Sequence, residues 1–302
     1  MGTPLFFVTA DAGGGRAPDR LRAILARTPW PDARTVLARS VTEVAVALRA
    51  APDGAVAVAA GGDGTVNLVV RALREAGRGD LTLAVLPLGN GNLVAWALGV
   101  GRIGRALETL RAGELRRFDL FVTTHPAWPV VVASLSVGAE ARVVHRFVEL
   151  RPAGRRMAAL RAAASLRRTP PRGEFTLEVD GDALVAPGDA GYCAGVYNHP
   201  CYPYGWTVLP GADPSDGVGE AVACRDLGSY LRALALGVPT TGPGRRDGVT
   251  SRRWRTAVVT TSGPVQMDGE ILHGGRFELR VEPGALRALA ARGRATPSAA
   301  VG

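Results

Sequence analysis

Apolar positions fall into two textures along the chain. In the first 120 residues, short apolar runs bounded by Gly, Pro or Asp have the length of buried strands: "PLFFVTA", "ARTVLA", "AVAVAA" and "LTLAVLP". Between them, apolar residues recur at three- and four-residue spacing. "SVTEVAVALRAA" predicts a helix with Ser40 as N-cap and Glu43 three residues on, and "TVNLVVRALREAG" predicts one that ends at Gly77. Further helices are expected from about Arg20 to Arg27 and over "GRALETLRAG". Strands alternating with helices predict a parallel α/β sandwich.

After about residue 121 the pieces become short and β-rich: "WPVVVASLSVGAE", "EFTLEVDGDALV", "AGYCAGVYN" and "GVGEAVACR". Gly, Pro and Asp separate them, which predicts a second, mostly antiparallel domain. One basic helix is expected within "HRFVELRPAGRRMAALRAAASLRR", and a mobile loop over "GVPTTGPGRRDGVTSRR". "RFELRVEPGALRALA" reads as a strand followed by a terminal turn or helix, and the end as a disordered tail. The expected division is an α/β domain over 1–121, a β-rich domain over 122–275, a segment 276–290 rejoining the first, and a tail over 291–302.

With 302 residues, 47% of them hydrophobic and 21% charged, the chain reads as soluble and globular. No apolar stretch approaches the roughly 20 residues of a membrane span. The start lacks the pattern of a signal peptide, and Phe6 breaks the myristoylation pattern, so a cytoplasmic protein is expected. Cys193, Cys201 and Cys224, like the four scattered histidines, make no metal-ligand spacing. The net charge of +9 comes from arginine alone, for the chain has no lysine. A Walker A lysine and a Schiff-base lysine are therefore excluded, and phosphate binding must use backbone N–H groups, arginines and metal. Basicity fits nucleic acid, acidic lipid or a phosphorylated substrate. No zinc finger or RNA-recognition signature supports nucleic acid, and none is expected as a partner.

Three Gly-rich loops, "DAGGGR", "GGDGT" and "PLGNGN", each follow a predicted strand. In a parallel sheet they converge where ligands bind, and glycine lets phosphate approach the backbone at a helix N-terminus. None completes G-x-G-x-x-G, so a dinucleotide site is weakly supported. Asp63 changes the picture. A carboxylate inside a phosphate loop repels the ligand unless a cation or an acceptor hydroxyl lies beside it. A turn or cap residue is the alternative reading of Asp63.

The ordered set "GGDGTVN", "PLGNGNLVAWALGV", "RRFDL", "WTVLPGADPSDGVGEAV" and "VQMDGE" resembles the catalytic domain of the diacylglycerol kinase and sphingosine kinase family, most of all its bacterial soluble lipid kinases. The resemblance implies a nucleotide-binding α/β domain, a β-sandwich domain and an active site in the cleft between them. It implies ATP and Mg²⁺ as cofactors, and a kinase acting on a hydroxyl of a diacylglycerol or long-chain-base type of lipid. Gly61, Gly62, Gly64 and Thr65 match the ATP-phosphate loop, and Thr9, Gly89 and Asn92 the rest of the nucleotide set. Asp63 matches the aspartate that organises Mg-ATP and accepts a proton in some relatives. Asp119 matches a buried member of the same network, and Glu270 a glutamate acting as base. Asp216, with the carbonyls of Asp213 and Val218, matches a structural Mg²⁺ site. Taken without the resemblance, Glu270 and Asp216 are turn carboxylates and Asp119 an edge or capping residue.

The chain departs from the family pattern in three places. Leu93 stands where an acid usually follows the asparagine, Thr9-Ala10 replaces Asn-Pro, and "YNHPCYPYGW" replaces a Gly-rich segment. Arg155, Arg156, Arg161, Arg167 and Arg168 are candidates for contact with anionic headgroups at a membrane surface, or an ordinary solvated face. The alternatives carried forward are a kinase of a soluble alcohol and an inactive nucleotide or lipid binder. An NAD kinase fits the β-rich half less well. A homodimer is compatible with the sequence.

Overall fold

The computed structural model describes residues 2–28, 30, 33–151, 154–202, 205–238 and 244–292. Seven elements open the chain: β1 (Pro4–Val8), α1 (Ala17–Leu25), β2 (Arg34–Leu37), α2 (Val41–Arg49), β3 (Val56–Gly61), α3 (Asp63–Ala76) and β4 (Thr82–Pro87). The strands lie parallel in the order β2-β1-β3-β4. Every residue of β3 and β4 is buried, as a strand covered on both faces requires. Helix ends follow the sequence signals. Ser40 Oγ accepts from the Glu43 N–H at 3.2 Å, and Gly77 closes α3 at φ 68°. Two helices complete this half, α4 (Leu93–Ala97) and α5 (Ile103–Ala112).

The rest is antiparallel. β5 (Glu114–Thr123), β6 (Val130–Val131) and β7 (Ser134–Gly138) lead into α6 (Ala139–Leu150) and α7 (Arg155–Ala164), the latter ending in a 3-10 turn over Ser165–Arg167. Then come β8 (Phe175–Val179), β9 (Asp182–Val185), β10 (Cys193–Tyr197), β11 (Cys201–Tyr202), β12 (Trp206–Thr207), β13 (Gly219–Cys224) and α8 (Leu227–Leu236). β14 (Gly244–Arg246), β15 (Val249–Trp254), β16 (Thr256–Met267) and β17 (Glu270–Ala290) finish the chain. The antiparallel part runs β14-β15-β13-β10-β7-β16-β17 and joins the parallel part through β4.

β17 makes that junction. Its first half pairs with β16, its second with β5, and Ala288 meets Leu83 of β4 in parallel. The register with β5 shifts between Glu282 and Leu286, where Pro283 and a left-handed Gly284 (φ 58°) interrupt the ladder. One hydrophobic core surrounds the parallel strands and includes Phe6, Val58, Leu86, Phe118 and Leu289. A second gathers Phe121, Leu177, Trp254, Met267 and Phe277. A third lies under α8, around Tyr192, Tyr197, Val208 and Tyr230.

Several expectations need correction. The single basic helix is two, α6 and α7, and Gly154 (φ 116°) stands before the second. The stretch expected as a mobile loop contains the β14–β15 hairpin, turned by Asp247 (φ 46°) and Gly248 (φ 83°). Its residues 239–243 lie outside the described residues. No terminal helix forms, since Leu286, Ala288 and Ala290 continue β17 against β5. α8 was not anticipated, although Asp226 and Ser229 make a reciprocal capping box at its start. Ala291 is buried and donates its N–H to Leu98 O, while 293–302 of the expected tail lie outside the described residues. No helix among the described residues is long and apolar enough to cross a membrane.

Candidate active site

Three loops meet at the carboxyl ends of β1, β3 and β4. Thr9 Oγ1 lies 3.1 Å from Thr65 Oγ1, joining the first loop to the first turn of α3. A methyl group on Gly61 would fall 2.2 Å from Thr65 Oγ1, and one on Gly89 only 2.2 Å from the Cα of Gly62. The two backbones therefore touch, and only glycine allows it. Asn92 sits at φ 52° and donates from Nδ2 to Gly89 O at 3.3 Å, and its Oδ1 is buried without a partner. Thr9, Gly61, Gly62, Thr65, Gly89 and Asn92 thus share one rim, with Gly64 beside it on α3.

Asp63 opens α3 and reaches across to α4. Its Oδ1 accepts from the Val94 N–H at 3.1 Å. Asn92 caps α4 without a side-chain capping bond, so Asp63 satisfies an N-terminal donor of a helix it does not belong to. Burial raises the Asp63 pKa, against the backbone N–H groups of Val94, Leu93, Asp63 and Asn92, which lower it. Leu93 packs its half-buried side chain against the first core.

The β16–β17 turn lies over this rim. Asp268 (φ 49°) and Gly269 (φ 89°) form it, and Glu270 follows. Glu270 is exposed, and its Oε1 is 3.6 Å from where a Gly64 side chain would begin. Asp268 is buried and fixes the turn. Its Oδ1 accepts from Ala133 N (2.7 Å) and Ser134 N (3.1 Å), and its Oδ2 from Val132 N (2.8 Å) and Asn67 Nδ2 (2.7 Å). Asn67 is on α3, one turn after Asp63, so the clamp ties the β16–β17 turn to the helix that follows the 61–64 glycine loop. Sequence reasoning missed both residues. The signal was a polar residue inside an apolar helical run and the first acid of "MDGE".

Asp119 is placed elsewhere. Its carboxylate accepts from Gly217 N (2.7 Å) and Gly284 N (2.6 Å), and no hydrogen bond among the described residues joins it to Asp63. It staples the 213–218 loop to the bulge of β17. Asn198 supports it by donating to Asp119 O (2.7 Å) and Val132 O (3.1 Å), which gives the start of "YNHPCYPYGW" a structural role. Residues 203–204 of that segment lie outside the described residues. His199 is buried, and its pKa is pushed down to about 4, so it is neutral.

Asp213 and Asp216 lie within electrostatic range of Asp119. Asp213 Oδ1 accepts from the Ser215 N–H, and Asp216 accepts from the Val218 N–H and from the Arg253 guanidinium. Burial pushes Glu220 up to about 8, and its Oε2 has no partner. Four acids against Arg253 make a site whose charge suits a cation. Among the described residues, however, no three His, Cys, Asp or Glu side chains are arranged as metal ligands. At the nucleotide rim the donor set fits Mg²⁺, which binds through one or two carboxylates with phosphates and waters for the rest. There Asp63 is the carboxylate.

The fold and rim define a two-lobed α/β protein with a glycine-loop edge facing an acidic turn. Residues 4–123 match the diacylglycerol kinase catalytic domain, so the resemblance carried by the motifs holds. Two curated relatives from Pseudomonas aeruginosa, strains UCBPP-PA14 and PAO1, are described as "Probable lipid kinase YegS-like". Each is 38% identical over 99 residues, 33% of this chain and 30% of the relative. The chain thus spans 30% of the length of these relatives. A solved diacylglycerol kinase from Bacillus anthracis str. Sterne superposes with a TM-score of 0.70 at 17% identity, over 96% of this chain and 97% of the other. That likeness shows the shared fold.

Proposed function

We propose that the protein is an ATP- and Mg²⁺-dependent phosphotransferase that acts on a hydroxyl group, with a lipid as acceptor. The observation that carries this reading is the position of Glu270 over the first turn of α3, beside Asp63 and the three Gly-rich loops. The backbone N–H groups of Gly62, Gly64 and residues 89–91 hold the ATP phosphates, with the Thr9–Thr65 hydroxyl pair as a further polar partner. Mg²⁺, held by Asp63, supplies neutralisation of the phosphate charge. Glu270 removes the acceptor proton. It is favoured over Asp63 because Asp63 Oδ1 already binds the α4 N–H, whereas Glu270 is exposed. Asp268 and Asn67 hold the base in place. Asp119 holds the 213–218 loop against the bulge of β17 through the N–H groups of Gly217 and Gly284, and a structural cation on that loop would be held by the Asp216 side chain with the carbonyls of Asp213 and Val218.

Labelled ATP and Mg²⁺ incubated with a lipid extract and, separately, a soluble metabolite extract test the reading. Label entering the lipid phase with the intact protein, and not with Glu270→Gln, is the expected result. Label confined to the soluble extract moves the acceptor to a soluble alcohol. ATP binding without transfer to any acceptor points to an inactive binder, for which Leu93 in place of an acid is the motivating residue.

A further inference from the structure

The sheet that leads into the Glu270 turn is polar on one face. Ser134 and Ser136 of β7 lie on it, with Gln266 of β16 opposite Ser136 and Tyr197 of β10 opposite Ser134. Leu135, Val137, Val265 and Met267 alternate onto the other face and fill the second core. The Asp268–Asn67 bond uses only part of the polar face. Ser136 (0% exposed) and Gln266 (5%) are buried there, and buried polar groups need partners.

One orientation of the Gln266 amide satisfies both of its ends. The oxygen accepts from the Gly269 N–H at 2.8 Å and the Asp268 N–H at 3.3 Å, and the nitrogen donates to Ser136 Oγ at 3.0 Å. Gly269 is a central residue of the two-residue turn closed by Met267 and Glu270, so its N–H has no ladder partner and Gln266 supplies one. Ser136 Oγ accepts from Gln266, which leaves its own proton for the Glu140 carboxylate in the first turn of α6. Glu140 Oε2 also accepts from the hydroxyls of Tyr197 (2.7 Å) and Tyr202 (2.8 Å). Donation therefore runs one way, from Gly269 through Gln266 and Ser136 to Glu140. A carboxylate, which only accepts, is the group that can end such a chain.

We propose that Gln266, Ser136 and Glu140 are positioning residues for Glu270, a one-way hydrogen-bond chain that holds the amide next to the base and, through Tyr202, ties its aim to β11. This rests on the kinase reading above and adds a second anchor to the turn. Asp268 fastens the turn to α3, and Gln266 fastens it to α6. The chain also gives Tyr202, within the divergent segment "YNHPCYPYGW", a route to the reaction.

Transfer from labelled ATP is measured for Ser136→Ala, Gln266→Met and the double variant, with thermal unfolding to confirm that each is folded. Each single variant should lose about tenfold in kcat with KM for ATP unchanged. Residues acting in series are not additive, so the double variant should lose no more than the worse single one. Ser136→Thr, which keeps the hydroxyl, should retain most of the rate. Tyr192→Phe, which removes a buried hydroxyl of the third core outside the chain, should leave kcat unchanged. Hydrogen exchange over residues 265–272 is followed alongside, and should quicken in Ser136→Ala but not in Tyr192→Phe. A kcat within about twofold of the intact protein in Ser136→Ala, or costs that add in the double variant, overturns the proposal and leaves the kinase reading intact. If no acceptor takes label from the intact protein, the kinase reading fails and exchange decides the chain. Quicker exchange in Ser136→Ala sustains it as the anchor of the turn, and unchanged exchange overturns it.

Discussion

Asp268→Ala removes one carboxylate and strands four donors. Asn67 Nδ2 and the N–H groups of Val132, Ala133 and Ser134 all point at it within 2.7–3.1 Å. Each buried donor left unpaired costs about 1–2 kcal/mol, and alanine at φ 49° adds about 1 kcal/mol of backbone strain. Against this stands the cost of burying the carboxylate, which pushes its pKa from 3.8 up to about 6. The folded state therefore binds this proton more tightly than the unfolded chain. The stabilising contribution of Asp268 is full below about pH 4 and diminishes as pH rises through 6, by at most about 3 kcal/mol. The alanine variant should thus be less stable by about 3 kcal/mol at pH 7, and the deficit should widen toward pH 4.5. Urea unfolding of both proteins at several pH values, with unchanged m, measures this. A deficit below about 1 kcal/mol at pH 7 would show that water reaches the donors. A deficit that narrows as pH falls would refute the claim that burial outweighs the four N–H groups.

Other outcomes follow from the same geometry. Glu270→Gln should lower kcat by about 10²–10⁴ with ATP affinity unchanged, as read by transfer kinetics and nucleotide titration. Gly89→Ala should abolish ATP binding in calorimetry, because its methyl group would collide with Gly62 Cα. Mg²⁺ should raise the melting temperature, and Asp216→Asn should remove that increment if the 213–218 loop holds the cation. Leu93→Asp, tested by thermal unfolding across a Mg²⁺ titration, should destabilise the metal-free protein by about 1 kcal/mol through repulsion of Asp63 while lowering the Mg²⁺ concentration needed for transfer.

The alternation of β1, α1, β2, α2, β3, α3 and β4 was legible in the sequence because their patterns are local. Buried parallel strands read as apolar runs, and Ser40 and Gly77 mark helix ends within a few residues of the apolar stretch they close. β14 and β15 were not legible, because Arg245, Arg246, Arg252 and Arg253 hide the alternation and the partner, β13, is distant in sequence. The end of β17 looked helical for the same reason. "ALRALA" has good helix formers, and its strand state comes from β5, more than 160 residues earlier. The site shows the same division. Gly62, Gly89 and Glu270 were found through motifs, while the Asn67–Asp268 bond spans 201 positions and no local pattern announces it.

Asp63 shows how the two levels bear on each other. From the sequence it is an acid in a phosphate loop, in need of a cation. In the fold it also completes the N-terminus of α4, a helix of five residues whose own cap residue, left-handed Asn92, makes no side-chain capping bond. These demands compete for one carboxylate. Oδ1 is committed to Val94, so a cation held here would have to share the carboxylate with the start of α4. Here Leu93 gives apolar packing to the first core instead of charge to the site. On the proposed reading, proton transfer would fall to Glu270, the exposed acid at the rim, and the Asp268–Asn67 bond that fixes its turn would matter to the reaction as much as the glycine loops.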